Sequence, residues 1–207
     1  MVPSFKEGCP IKKSLLACLP LLALLFTGCW DRVELENRDF VIVLGADKAE
    51  TGEGLTLTLC LGATGEENAA LVTHLTGATP AEALSRLAGR TAHRSYYGSA
   101  RTLVVGQALW NDPAALTALL TELEALPDLN QRLLVVVAAP AANHLVAALP
   151  ASGVPYGMYF STFFKNHPET PALDLESARL ALSAGEPPPA PVFVLDAENT
   201  PALAPTD

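Results

Sequence analysis

Phe40-Val41-Ile42-Val43-Leu44 decides the fold. An unbroken β-branched and aromatic run marks a strand buried on both faces, because neither side offers a polar residue to water. Downstream, residues 47–54 are polar and include Gly52 and Gly54, the composition of a turn. Leu55-Thr56-Leu57-Thr58-Leu59-Cys60-Leu61 then alternates strictly. Its leucines share one face and Cys60 shares the other with the threonines, so this strand is predicted to have one wetter face. A hairpin is the economical pairing for the two.

Farther along, residues 62–77 are looser and polar, and read as a long loop or partial strand. Thr79-Pro80-Ala81-Glu82 is a helix start, with an N-cap, a first-turn proline and a glutamate at the capping-box position. Leu84, Leu87 and Ala88 give that helix an apolar face. Thr102-Leu103-Val104-Val105 is the next strand. Asp112-Pro113 opens a helix with Leu116, Leu119, Leu120 and Leu123 at helical spacing, and Pro127-Asp128 ends it. Residues 133–138 form another buried strand, and Pro140 opens a helix carrying Leu145, Val146 and Leu149.

Tyr156, Tyr159, Phe160, Phe163 and Phe164 suit one more helix, which either closes the core or presents an exposed partner-binding face. From Gly185 onward proline dominates, and an extended linker is expected around Val192-Phe193-Val194-Leu195. A hairpin followed by alternating helices and strands predicts an α/β (mixed α+β) fold. It would be one mixed β-sheet of about four strands covered by helices, between an N-terminal signal segment and a Pro-rich C-terminal tail. Strand order does not follow from the sequence.

Working back from Phe40, Trp30-Asp31-Arg32-Val33-Glu34-Leu35 reads as a helix start running to about Arg38. Asp31 is the N-cap, Glu34 can reach back to the cap's own N–H, and Trp30 and Leu35 stand at hydrophobic-staple positions. Before it, Lys12-Lys13 precede an uncharged Leu- and Ala-rich run from Ser14 to Phe26. That run is shorter than the roughly 20 apolar residues a spanning helix needs, and it has the layout of a secretory signal. Leu25-Phe26-Thr27-Gly28-Cys29 places a small residue directly before a cysteine, as a bacterial lipoprotein signal does, with Phe26 where leucine is usual. Cleavage before Cys29 and lipidation of its thiol are expected. An ordinary signal peptide or an uncleaved anchor is the alternative. The predicted organisation is a signal peptide over 1–28, a domain over 29–182 and a Pro-rich linker or tail over 183–207.

The chain has 207 residues, half of them hydrophobic, and a formal net charge of -9. Such a chain can build a core, and global disorder is not expected. Its acidity excludes unaided nucleic-acid binding, which needs basic patches, and argues against electrostatic adhesion to anionic lipid. Membrane attachment would have to be covalent. Cys9 and Cys18 lie in the leader, leaving Cys29 for the lipid and Cys60 as a small half-buried hydrophobe.

No catalytic case emerges, and neither a metal nor a cofactor is expected. His74, His93, His144 and His167 fall at no metal-ligand spacing, and no nucleophile elbow or phosphate-cradling loop is present. The carboxylates Asp31, Glu34, Glu36 and Asp39 are explained by capping and solvation. The richest polar cluster is His93-Arg94-Ser95-Tyr96-Tyr97-Gly98-Ser99-Ala100-Arg101, between a helix and a strand. It is either a solvated turn with packed tyrosines or a loop that takes a ligand or partner through Tyr96, Tyr97 and Arg101.

With Gly28-Cys29-Trp30-Asp31-Arg32-x-Glu34-Leu35 in place behind a lipoprotein leader, the chain resembles the C subunit of spore germinant receptors, the Ger(x)C lipoprotein family. Phe40-Val41-Ile42-Val43-Leu44-Gly45-Ala46-Asp47-Lys48 is similar to that family's apolar strand closed by Gly-x-Asp. Residues 77–84 and Arg101-Thr102-Leu103-Val104-Val105-Gly106 look like its following helix and strand. Ser99 departs from the pattern, standing where many relatives carry histidine. The resemblance covers the family's N-terminal portion; typical members continue into further α/β domains, so the chain reads as truncated relative to them.

The resemblance implies a non-enzymatic subunit of a nutrient germinant receptor. It would be held by a diacylglyceryl and N-acyl (palmitate-type) lipid on Cys29 at the outer face of the spore inner membrane. There it would assemble with integral membrane A- and B-type subunits and act in spore germination. The alternative is a lipid-anchored extracytoplasmic solute-binding module that captures a small germinant directly. A concave site near Tyr96, Tyr97 and Arg101 would favour that alternative.

Overall fold

The computed structural model describes residues 38–62, 70–89, 93–126, 128–152, 155–186 and 188–205. The leader over 1–28, Cys29 and the motif residues Trp30, Asp31, Arg32, Glu34 and Leu35 lie outside the described residues, as does most of the predicted first helix. Arg38, placed at that helix's end by sequence, instead begins strand β1 (Arg38–Lys48).

β1 is the strand expected at Phe40–Leu44, lengthened in both directions. It pairs antiparallel with β2 (Leu55–Leu61), confirming the hairpin, and β2 pairs antiparallel with β3 (Leu71–Gly77). On its other side β1 runs parallel to β5 (Thr102–Gly106), which runs parallel to β6 (Leu134–Ala138). A register shift between Val41 and Val43 marks a bulge at Ile42. Upstream of it, Arg38, Asp39 and Phe40 run parallel to a separate short strand, β4 (Arg94–Tyr96). Bulges redirect a strand locally; this one separates the two pairings.

Among the described residues the sheet has nine strands, not the about four predicted. β3 falls in the stretch read as a long loop or partial strand, and the second reading holds for its end: it is an edge strand with polar Thr73, His74 and Thr76, and only Leu75 and Gly77 are buried. The proline-rich segment is extended, but it is not a linker. β8 (Val192–Leu195) runs parallel to β6, and β9 (Pro201–Leu203) pairs antiparallel with β8. The Phe193 ring is fully buried, and the Tyr159 hydroxyl donates to the Pro201 carbonyl. β7 (Leu173–Asp174) is a two-residue pairing with β6.

Helices cover both faces. α1 (Pro80–Ser85) begins at the predicted cap: Thr79 Oγ1 accepts from Glu82 N at 3.2 Å, while Glu82 Oε2 accepts from Ala78 N, one residue before the cap's own N–H, at 2.9 Å. α2 (Gln107–Trp110) follows β5, and α3 (Pro113–Glu124) is capped by Asp112, with Leu116, Leu119, Leu120 and Leu123 all buried. With α6 (Leu175–Ser183), these helices cover the face that carries Leu44, Ala46, Leu57, Leu59, Leu103 and Val105. The opposite face carries Val43, Cys60, Val104 and Val136 beneath α4 (Ala142–Ala148) and α5 (Tyr159–Asn166).

α4 crosses back over β1 and β2, so the face of β2 expected to be wetter is closed: Thr58 and Cys60 are both 0% exposed. The aromatic helix α5 seals its end of the core with Phe160, which meets Phe193 edge-to-face at 5.1 Å. Its outer edge leaves Met158 exposed.

Candidate functional site

The cleft at the upstream end of β1 is built by its pairing with β4. Parallel register sets Arg38 beside Arg94 and Phe40 beside Tyr96. The Arg38 guanidinium lies over the Tyr96 ring, 5.2 Å from its centroid, and Phe40 meets the same ring edge-on at 5.9 Å. A Cβ at Gly98 would sit 2.5 Å from the Tyr96 hydroxyl, so Tyr-x-Gly is the spacing that lets this phenol fold over the turn at Tyr97–Ser99. Arg38, Arg94, Ser95, Tyr96, Tyr97 and Asp128 line a cavity of about 260 Å³. Burial pushes the Tyr97 phenol above its ordinary range against a hydrogen bond from Ser95, which keeps it neutral.

Tyr96 and Tyr97 both line this cavity, but Arg101 is not with them. Its side chain is exposed, its N–H donates to Ile42 O at 3.0 Å, and its carbonyl accepts from Leu134 N at 3.0 Å. Those bonds tie it to β1 and β6, and the cleft's cations are Arg38 and Arg94 instead. Arg94 stands in the polar cluster picked out from the sequence; Arg38 could be found only through cross-strand register. Asp39 meets His93, with Oδ1 and Nδ1 3.3 Å apart. Among the described residues no group of histidine, cysteine and carboxylate side chains is arranged to hold a metal. Burial drives the Cys60 thiol up to about 12, so it stays protonated and unreactive.

At the other end of β1, Asp47 accepts from Ala142 N at 2.7 Å and from Asn143 N at 2.8 Å. It therefore caps α4, whose own preceding residue, Ala141, has no capping side chain. A Cβ on Gly106 would collide with Asp47 Oδ1, so glycine at the end of β5 is what leaves room for the carboxylate. Burial raises the Asp47 carboxyl above its ordinary range, opposed by the two backbone donors and by nearby His144 and His74. α4 also approaches β1 closely: a Cβ on Gly45 would meet Val146 Cγ2 at 3.0 Å.

The family model of the spore germination protein N-terminal domain matches residues 31–185. The chain belongs to this family. It carries the N-terminal domain of a germinant receptor C subunit, and its role lies in spore germination. No curated protein and no solved structure matches it. Within this germination domain the Gly45-Ala46-Asp47 stretch pairs with the strand that ends at Gly106, and Gly106 leaves room for the Asp47 carboxylate to accept from Ala142 N, which gives those two stretches a physical role in the fold. The β8–β9 hairpin completes the sheet beyond the matched residues. Membership in the family points to the spore membrane. Among the described residues no helix is long and apolar enough to cross one.

Proposed function

We propose that this chain is a lipid-anchored, non-catalytic subunit of a nutrient germinant receptor. Cys29 carries the lipid, and the domain assembles with integral membrane A- and B-type subunits at the outer face of the spore inner membrane. One observation carries the reading: the germination-domain match begins at Asp31, directly behind Thr27-Gly28-Cys29 and its apolar leader. An anchor so close to the domain restricts it to the bilayer surface, where membrane-embedded partners are within reach. Two acyl signals would hold it stably, where one alone is marginal. Cys60, fully buried and protonated, offers no competing attachment point.

The test is metabolic labelling with a palmitate analogue in a spore former, joined to co-purification with the receptor's membrane subunits. Label is expected on the wild type and absent from Cys29→Ala; label that survives the substitution overturns anchoring at this residue. Consistent absence of the membrane subunits from the purified complex overturns the assembly role. A second reading, direct capture of a small solute, is favoured by the concave cleft at Tyr96 and Tyr97.

A further inference from the structure

The cleft between β1 and β4 brings together two cations on neighbouring strands, Arg38 half-buried and Arg94 exposed at its rim. Arg38 and Arg94 are register partners, so their Cα atoms lie about one strand spacing, roughly 4.8 Å, apart. Neither guanidinium has a carboxylate partner among the described residues, where the recorded ion pairs are made by other side chains. Juxtaposed like charges are unfavourable unless something negative comes between them. Arg38 is also held in place, stacked on a Tyr96 ring that is itself fixed by Phe40 and by the space over Gly98. A positioned planar guanidinium loses little freedom when it forms paired hydrogen bonds to a carboxylate.

The remaining wall selects among anions. Among the described residues, Asp128 contributes one negative charge to a lining with two positive ones, which disfavours a doubly charged ligand. The Tyr96 and Tyr97 rings offer an apolar surface to whatever body the anion carries. A volume of about 260 Å³ suits a metabolite smaller than the drug-sized occupants of most pockets. We infer that this cleft is a binding site for a small monocarboxylate with an apolar or flat body, its carboxylate bridging Arg38 and Arg94. The inference deepens the solute-capture reading and rests on it; anchoring and assembly are independent of it.

The experiment follows amide NMR shifts of the full chain in detergent during titration with benzoate, benzamide and inorganic phosphate. Benzoate should move the Tyr96 and Tyr97 amides saturably at millimolar concentration. Losing a charged hydrogen-bond partner should weaken its binding by about tenfold or more in Arg94→Gln and in Arg38→Gln. Arg101→Gln, exposed and away from the cleft, should bind as the wild type does. Unchanged spectra elsewhere in Arg94→Gln verify that this variant is folded. Benzamide binding as tightly as benzoate, or phosphate binding equally well, overturns the carboxylate assignment while leaving solute capture standing. Silence towards all three ligands overturns both, whereas benzoate binding that survives both arginine substitutions overturns the carboxylate assignment alone.

Discussion

Asp47 and Arg38 stand at opposite ends of β1 and meet opposite fates. Asp47 is buried, and its carboxylate accepts from two backbone donors of α4, groups that no residue of the helix itself caps. Arg38 is half-buried beside a second arginine, and among the described residues neither makes an ion pair, although Asp128 lines the same cavity. Satisfied buried polar groups specify a structure, whereas an unanswered like-charge pair costs stability and is retained only where something else depends on it. The same strand therefore carries a structural junction at one end and a receptive surface at the other.

The largest effect is expected from opening the junction. Asp47→Ala leaves two buried N–H groups without an acceptor and should cost about 2–4 kcal/mol in urea unfolding. Gly106→Ala drives a methyl into the position of the same carboxylate and should cost a similar amount. Because both act through one interaction, the double variant should cost little more than either single one. Full additivity would show that Gly106 serves some other contact.

A smaller effect is expected from pH. Asp47 has its folded pKa raised above the ordinary 3.8, so the folded state binds this proton more tightly than the unfolded chain does. Its contribution is fully present below 3.8 and is lost as pH rises through the folded pKa. The unfolding free energy of the wild type, measured relative to Asp47→Asn, should therefore decline as pH climbs through that window. A rise instead would mean that the two backbone donors outweigh burial.

The smallest effect belongs to the other end. Arg94→Gln removes a like-charge neighbour without removing an ion pair, so unfolding should shift by no more than about 0.5 kcal/mol, and towards greater stability. A loss of several times that size would make Arg94 a structural residue and erase the contrast between the ends.

What could be read in advance was whatever is local. The run at Phe40–Leu44 declares a doubly buried strand, and the caps at Thr79 and Asp112 are visible because each acts on its own helix. Asp47 as the cap of α4 was hidden, since its partner stands 95 residues away and the hydrogen bond exists only once β1 and α4 meet. β3 was legible only as one of two alternatives, and β9 escaped notice, because edge strands need only one buried side and tolerate polar residues and proline. Closure of the wetter face of β2 depended on α4 crossing back over it, which no periodicity within β2 records. In the cleft, the tyrosines were conspicuous in their own segment, while Arg38 needed the pairing of β1 with β4 to become their neighbour. Arg101 looked equivalent to them in sequence but turns out to be spent on backbone links to β1 and β6.

The long reach of Asp47 also orders events in time. A chain emerging from its N-terminus makes β1 and β2 early, but the donors for the β1 carboxylate arrive only with Ala142 and Asn143. Until then the first half of the sheet carries an unmet acceptor and an uncovered apolar face, the kind of surface on which incomplete chains associate. Closure of this face therefore waits for α4, and a fragment cut ahead of α4 should expose it and be prone to aggregate.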